Sequence, residues 1–284
     1  MTSFMLRQAT RKEFRSAVDW AAAEGWNPGL DDLDAFYEAD PDGFLMGFLG
    51  DEPVSSISVV KYGPDFGFLG FYIVVPAHRG KQMGLKTWQA GMSYLGDRII
   101  GLDGVVDQQD NYRKSGFVFC GNNIRFTGPS HVSTVRCSAV IRDVVTADLT
   151  ALLVYDRFFF AGPRPAFISA WIGDTASRRT TKVAVKDNEI AGFAVIRECR
   201  EGYKIGPLFA DNQEIAEGLV SALCTDVAPG APIFLDIPEA NSAAKSLAEN
   251  AGMVPVFETA RMYNGAVPDL PVHRTFGITT FELG

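Results

Sequence analysis

The sequence predicts a mixed α/β chain of the α+β class, built from one unit used twice. Two observations carry this. Laid on itself, the chain repeats a hairpin, a strand, a turn and a helix in the same order in each half. Two further matched pairs then follow. RIIGLDGVV matches PIFLDIPEA, so Leu102-Asp103 pairs with Leu235-Asp236. SGFVFCGNNIRFTG matches AGMVPVFETARMYNG, so Arg125 and Gly128 answer to Arg261 and Gly265. Each match is weak by itself; the shared order argues for duplication.

The elements read as follows. LRQATRKEFRSAVDWAA is a strand and then a helix. The turn Gly25-Trp26-Asn27-Pro28-Gly29 follows. A helix then runs to Tyr37, with Asp31 or Asp32 placed to cap it. Residues 44–60 form a hairpin turning at Asp51 and Glu52. The strand Phe71 to Val75 stops at Pro76. A short basic turn leads to Gly84 and a helix with no breaker before Gly91. Residues 126–135 are the expected crossing, which divides the chain into 1–136 and 137–284. The second half repeats the plan from Cys137, with its hairpin turning at Asp187 and Asn188. At the end of the sequence, Phe276, Ile278 and Phe281 require burial, and their alternation suggests a strand.

Composition narrows the function classes. Of 284 residues, 47% are hydrophobic and 21% charged, as in an ordinary globular protein. No apolar run reaches the length of a membrane span, and the first residues lack the layout of a signal peptide. The four cysteines and three histidines show no metal-ligand spacing, so reduced thiols, a cytoplasmic location and no metal are expected. A formal net charge of −8 speaks against nucleic acid and favours a cationic partner. Oligomeric state is not legible.

One stretch carries chemistry. Ile73, Val74 and Val75 end a strand, and Arg79, Gly80, Lys81, Gln82, Met83 and Gly84 lead into a helix beginning near Leu85. The first amides of a helix have no internal partners, and the helix dipole adds positive charge there, so such a turn holds phosphates. The run Arg79 to Gly84 resembles the acetyl-CoA signature of the GCN5-related N-acetyltransferases, with Gln82 where the common form has glycine. A second family element follows: Tyr112 stands four residues before Gly116-Phe117. The resemblance implies that acetyl-CoA binds to the strand end, the loop, Asn111 and Lys114. It further implies that Tyr112 protonates the leaving thiolate and that coenzyme A is the product. Many members place a basic glutamate on the preceding strand. Here that position falls near Phe71, which accepts no proton, so the base is left open among Glu24, Asp31, Asp32 and solvent.

The second copy departs further. Its turn reads Ala210-Asp211-Asn212-Gln213-Glu214-Ile215, whose acids would repel a pyrophosphate, and Ala248 stands where the first copy has Tyr112. It is therefore expected to bind no coenzyme and to wall the substrate site. The Trp26 turn and the ending FGITTFELG are similar to tandem members with a YitH-type C-terminal domain. Each copy would then be a bent, mostly antiparallel sheet flanked by helices.

These readings predict an acetyl-CoA-dependent N-acetyltransferase acting on a small cationic amine. Its acceptor site would be walled by Trp26, Phe44 and Phe281. Asp31, Asp32 or Glu282 would anchor the ammonium, and Asp107 and Gln108 would position the substrate. A tail that merely completes the second sheet is the plainer alternative. A non-catalytic acyl-CoA sensor, and a protein lysine or N-terminal acetyltransferase, are the competing functions.

Overall fold

The computed structural model describes residues 3–132, 136–172 and 178–284. The first half contains β1 (Phe4–Gln8), α1 (Arg11–Ala23), α2 (Asp32–Ala39), β2 (Phe44–Leu49), β3 (Glu52–Tyr62) and β4 (Phe66–Val74). It continues with α3 (Met83–Leu95), β5 (Ile99–Val105), α4 (Gln109–Arg113) and β6 (Val118–Pro129). The second half contains β7 (Val140–Asp143), α5 (Leu149–Asp156), α6 (Pro165–Ile172), β8 (Arg179–Lys186), β9 (Glu189–Glu198) and β10 (Tyr203–Ala210). After these come α7 (Gln213–Cys224), β11 (Pro232–Pro238), α8 (Ser242–Asn250), β12 (Val254–Asn264) and β13 (Thr275–Gly277).

Local chemistry explains the boundaries. A capping box between Thr10 and Glu13 starts α1. The hairpin turn between β8 and β9 places Asp187 and Asn188 at φ 52° and 65°, the left-handed pair of a tight primed turn. Two expectations are corrected. Gly91 does not end its helix: α3 continues to Leu95, and Gly91 lies where a Cβ would come within 2.9 Å of Ile57 and Val59. Bare backbone is needed there for close packing. Asp31 precedes α2 without a side-chain capping bond, while the Asp32 carboxylate accepts from the Gly29 amide at 2.8 Å.

All the strands join one sheet, in the order β1-β2-β3-β4-β5-β12-β6-β11-β10-β9-β8-β7, with β13 added on β10. Among the described residues, only β4 with β5 and β10 with β11 run parallel. The last long strand of each half pairs inside the other half. Thus β6 lies against β11, and β12 lies against β5. The matched residues of the repeat meet across this exchange. Arg125 forks onto Asp236 at 2.6 and 2.8 Å, and Arg261 forks onto Asp103 at 2.8 and 2.6 Å. The core crosses the junction too: Phe14, Phe36 and Phe71 belong to the same buried cluster as Phe167 and Trp171.

Each parallel pair opens into a wedge. β4 and β5 pair from Phe66 and Ile99 only as far as Leu69 and Leu102. β10 and β11 pair from Tyr203 and Ile233 only to Ile205 and Leu235. The second wedge is filled by the end of the chain. β13 pairs with β10 at Leu208↔Gly277, and the Ile278 amide donates to the Asp236 carbonyl at 2.9 Å. Phe276, Ile278 and Phe281 are buried, as their composition demanded. The expected strand stops at Gly277, because the segment is covered on every side and no solvent face imposes alternation. The Tyr62 hydroxyl holds the Leu283 carbonyl at 3.0 Å. The first wedge admits no strand and stays open.

Candidate acyl-transfer site

The open wedge is a cavity of about 560 Å³ lined by both halves. Along its β4 side, the backbone carries unused hydrogen-bonding capacity. The Val75 amide donates to the Val54 carbonyl on β3. Amides alternate along a strand, so the Val74 amide faces the cleft. Beyond Leu69 no β5 residue pairs with β4.

The basic turn closes one end. Gly80 and Gln82 have φ of 75° and 62°, so Gln82 holds a left-handed conformation that suits glycine. Gly84 sits where a Cβ would lie 2.9 Å from the Tyr72 hydroxyl, which lets the first turn of α3 approach β4 closely. Arg79 Nε donates to the Val74 carbonyl at 2.9 Å, and its Nη2 meets Glu24 at 2.5 Å across the cleft mouth. Arg79 remains half exposed, and Lys81 is exposed with its ammonium on the Ala77 carbonyl. Free amides, a glycine-admitted helix end and exposed cations fit an acyl-CoA, with its arm along β4 and its phosphates at the turn.

Tyr112 stands across the wedge. Its ring stacks on Trp88 with centroids 5.7 Å apart. It lies so close to β5 that a Cβ on Gly104 would come within 2.2 Å of it. Among the described residues its hydroxyl has no hydrogen-bond partner, and Tyr112 lines the cavity. Burial, with Tyr72 beside it, pushes the phenol up to about 12, so it keeps its proton at neutral pH.

The wedge gathers many of the residues singled out by sequence. Ile73, Val74, Arg79, Gly80, Gln82, Gly84, Leu85, Gln108 and Tyr112 line it, as do Trp26, Phe281 and Glu282. Others lie outside the lining. Val75 is committed to β3. Met83 starts α3, half-buried, and Asp107 is exposed. Lys114 donates to Asn111, which donates to Gln108, so these form a rim of their own.

Three acceptor-site expectations are corrected. Phe44 is in the core, edge-on to Phe14 at 4.8 Å, because it points to the helix-covered face of β2. Asp31 is held by Arg179 at 3.0 Å and by the Arg178 amide. Asp32, 1% exposed, is held by Arg197 at 3.2 Å. Neither carboxylate is free for an ammonium.

Several cavity residues carried no usable signal. Gly70, Tyr72 and Gly104 lie in strands whose faces could be assigned only once the wedge was known. Phe257 and Thr259 reach the first half on β12, through a strand exchange that no local pattern encodes.

Behind the Trp26 turn lies a buried charge cluster. Burial pushes the Asp236 carboxyl up, but Arg125, Lys204 and Arg197 together more than offset this, leaving it below its ordinary value. Asp32 is likewise held low, by Arg197 and Arg179 against burial. Burial and the neighbouring Arg125 lower Lys204, whose ammonium donates to the Trp26 and Asn27 carbonyls at 3.2 and 2.8 Å. Burial raises Glu282.

Comparison with known proteins agrees with this geometry. A model of the acetyltransferase (GNAT) family matches residues 5–117, and one of an acetyltransferase (GNAT) domain matches 152–277. A curated relative from Pseudoalteromonas sp. (strain SANK 73390), named holothin acyltransferase, is 31% identical over 278 residues, spanning 98% of this chain and 94% of its own. The crystal structure of a putative acetyltransferase from Pyrococcus horikoshii superposes with a TM-score of 0.82 at 22% identity, covering 100% of this chain and 97% of that one. A tandem GNAT protein from the clavulanic acid biosynthesis pathway gives 0.63 at 14% identity, covering 94% of this chain and 100% of its own.

Proposed function

This chain belongs to the GNAT acetyltransferase family, with two family domains in tandem, and on that premise we propose that it transfers an acetyl group from acetyl-CoA to the primary amine of a small cationic molecule. The observation that carries this reading is the contrast between the wedges. The first is open and faced by Tyr112; the second is filled by the chain's own β13. Only the first half would therefore bind coenzyme.

The thioester supplies an activated acyl group, and the protein supplies position, polarity and protons. Exposed Arg79 and Lys81, with the free amides opening α3, receive the pyrophosphate. The Val74 amide polarises the acyl carbonyl. Tyr112, neutral at working pH, donates its proton to the departing sulfur. Trp26, Phe257 and Phe281 close the far wall, which favours a small acceptor over a protein chain. Glu282 on the same lining, the acid there with no paired guanidinium among the described residues, and the net charge of −8 favour a cation. Among the described residues, no helix is long and apolar enough to cross a membrane. With four free thiols as well, we place the protein in the cytoplasm.

The Pseudoalteromonas relative is named for acyl rather than acetyl transfer, so longer acyl thioesters belong in the same test. Calorimetry with acetyl-, butyryl- and octanoyl-CoA should find one site per chain. Reversing charge at Arg79 and Lys81 should weaken it by about ten-fold or more, the scale of lost charged hydrogen bonds. Tyr112→Phe should keep coenzyme affinity and lose about a hundred-fold in turnover. Two coenzymes per chain, or a Tyr112→Phe variant with full turnover, would refute the assignment.

A further inference from the structure

An amine that attacks a thioester must give up a proton, so the cleft needs an acceptor as well as the phenolic donor. Three acidic residues are among those that line the cavity. Glu24 is engaged by Arg79 at 2.5 Å at the mouth. Asp103 accepts both arms of Arg261, at 2.8 and 2.6 Å. Glu282 remains. Its residue is 3% exposed, and its Oε1 is buried without a hydrogen-bond partner. A buried, unpaired carboxylate oxygen is costly to maintain unless something arrives to use it.

Its placement suits the task. The Glu282 backbone lies against β4 where the wedge begins to open, one residue past the last paired position, Leu69: a Cβ on Gly70 would come within 1.9 Å of the Glu282 carbonyl. The next residue, Phe71, turns its ring into the core against Phe14 and Phe36, and its φ is 45°. The strand therefore offers no acid of its own there, and the segment that fills the second wedge brings one alongside.

Resting on the acyl-transfer reading above, we propose that Glu282, delivered by the second half, is the general base for the first half's reaction. Its carboxylate takes the proton of the attacking amine. The N–C bond forms as the C–S bond breaks, and Tyr112 passes a proton to sulfur. One proton leaves nitrogen and one reaches sulfur, so no outside co-reactant is required.

The groups facing Glu282 come from several elements. They are Lys204 on β10, Arg125 on β6, Arg197 on β9 and Asp32 on α2. Burial raises the carboxyl, as does Asp32, while Lys204, Arg125 and Arg197 pull it down. The net rise moves a carboxylate toward the working pH of a base.

The test compares the unaltered protein with E282Q and E282D. Acetyl-CoA is the donor, and n-butylamine, putrescine or phenethylamine the acceptor, whichever turns over fastest. Acetyl-CoA affinity by calorimetry should be unchanged in both variants, which also reports on folding. In E282Q, kcat should fall about a hundred-fold or more with the amine KM little altered. The acidic limb of the kcat–pH profile should vanish in E282Q and persist in E282D. A raised KM with unchanged kcat would make Glu282 an ammonium anchor and overturn the inference, as would full activity in E282Q. Failure of the unaltered protein to bind acetyl-CoA would instead overturn the acyl-transfer reading, and this one with it.

Discussion

Gln82 shows how a single backbone angle separates a sequence motif from its physics. The position is occupied by glycine in the common form of the turn, and here it has φ 62°. A non-glycine residue pays about 1–2 kcal/mol for that region, while glycine costs about 0.4–1 kcal/mol through unfolded-state freedom. Gln82→Gly should therefore leave the melting temperature unchanged or raise it slightly. It should also tighten acetyl-CoA, because the backbone can then approach the pyrophosphate without a side chain at the mouth. Thermal melts and calorimetry check both. A lower melting temperature with weaker binding would mean that the Gln82 side chain is itself a contact. The departure was plain in the sequence; that the residue sits in the left-handed region was visible only in the backbone. Tyr112 was the opposite case. Its spacing to Gly116 singled it out, and the structure then supplied the stacked Trp88 and the burial that keep the phenol protonated.

At the scale of elements, the decisive contact is between β4 and the end of the chain. Gly70 is the residue that admits it, since any side chain there would strike the Glu282 backbone. Gly70→Ala should push the segment away at a cost of about 1–3 kcal/mol, the range for overpacking. The expected result is a lower melting temperature and lost amine turnover. Acetyl-CoA binding should persist, because the turn at Arg79 to Gly84 lies past Val74, beyond the end of β4 away from Gly70. A variant of normal stability and turnover would show that the segment yields freely. This element was half legible. Apolar and aromatic content announced burial of Phe276, Ile278 and Phe281, and the turn acids Asp211 and Glu214 argued against a phosphate site in the second copy. What fills its wedge depends on β13 pairing with β10 across more than sixty residues of sequence, and a local pattern holds no such information. Asp211 has its own use there: its carboxylate pairs with Arg274 and accepts from the Tyr155 hydroxyl.

The whole molecule is governed by the exchange of β6 and β12. The repeat of Leu-Asp and of Arg before Gly was readable in each half. Its meaning, each arginine forking onto the other half's aspartate, was not, because register across an exchange is set by tertiary pairing alone. The consequence is that neither half has a complete sheet by itself. Without β12, β5 loses its neighbour toward the centre; without β11 and β12, β6 has no partner at all. Asp103 and Asp236 would each lose the guanidinium that neutralises them, an expensive loss in a buried site. The full chain should therefore melt in one calorimetric transition, and residues 1–136 and 137–284 made separately should lack cooperative unfolding. The pH dependence follows the buried acids. Asp32 and Asp236 ionise below their ordinary value in the folded state. Their contribution is thus fully present above the unfolded value of about 4 and is lost as pH falls through the lower folded values. The loss due to these two acids should lower the single transition below about pH 4, with both halves melting together throughout. Two resolved transitions, at neutral or acid pH, would mean that the exchanged strands do not bind the halves into one cooperative unit.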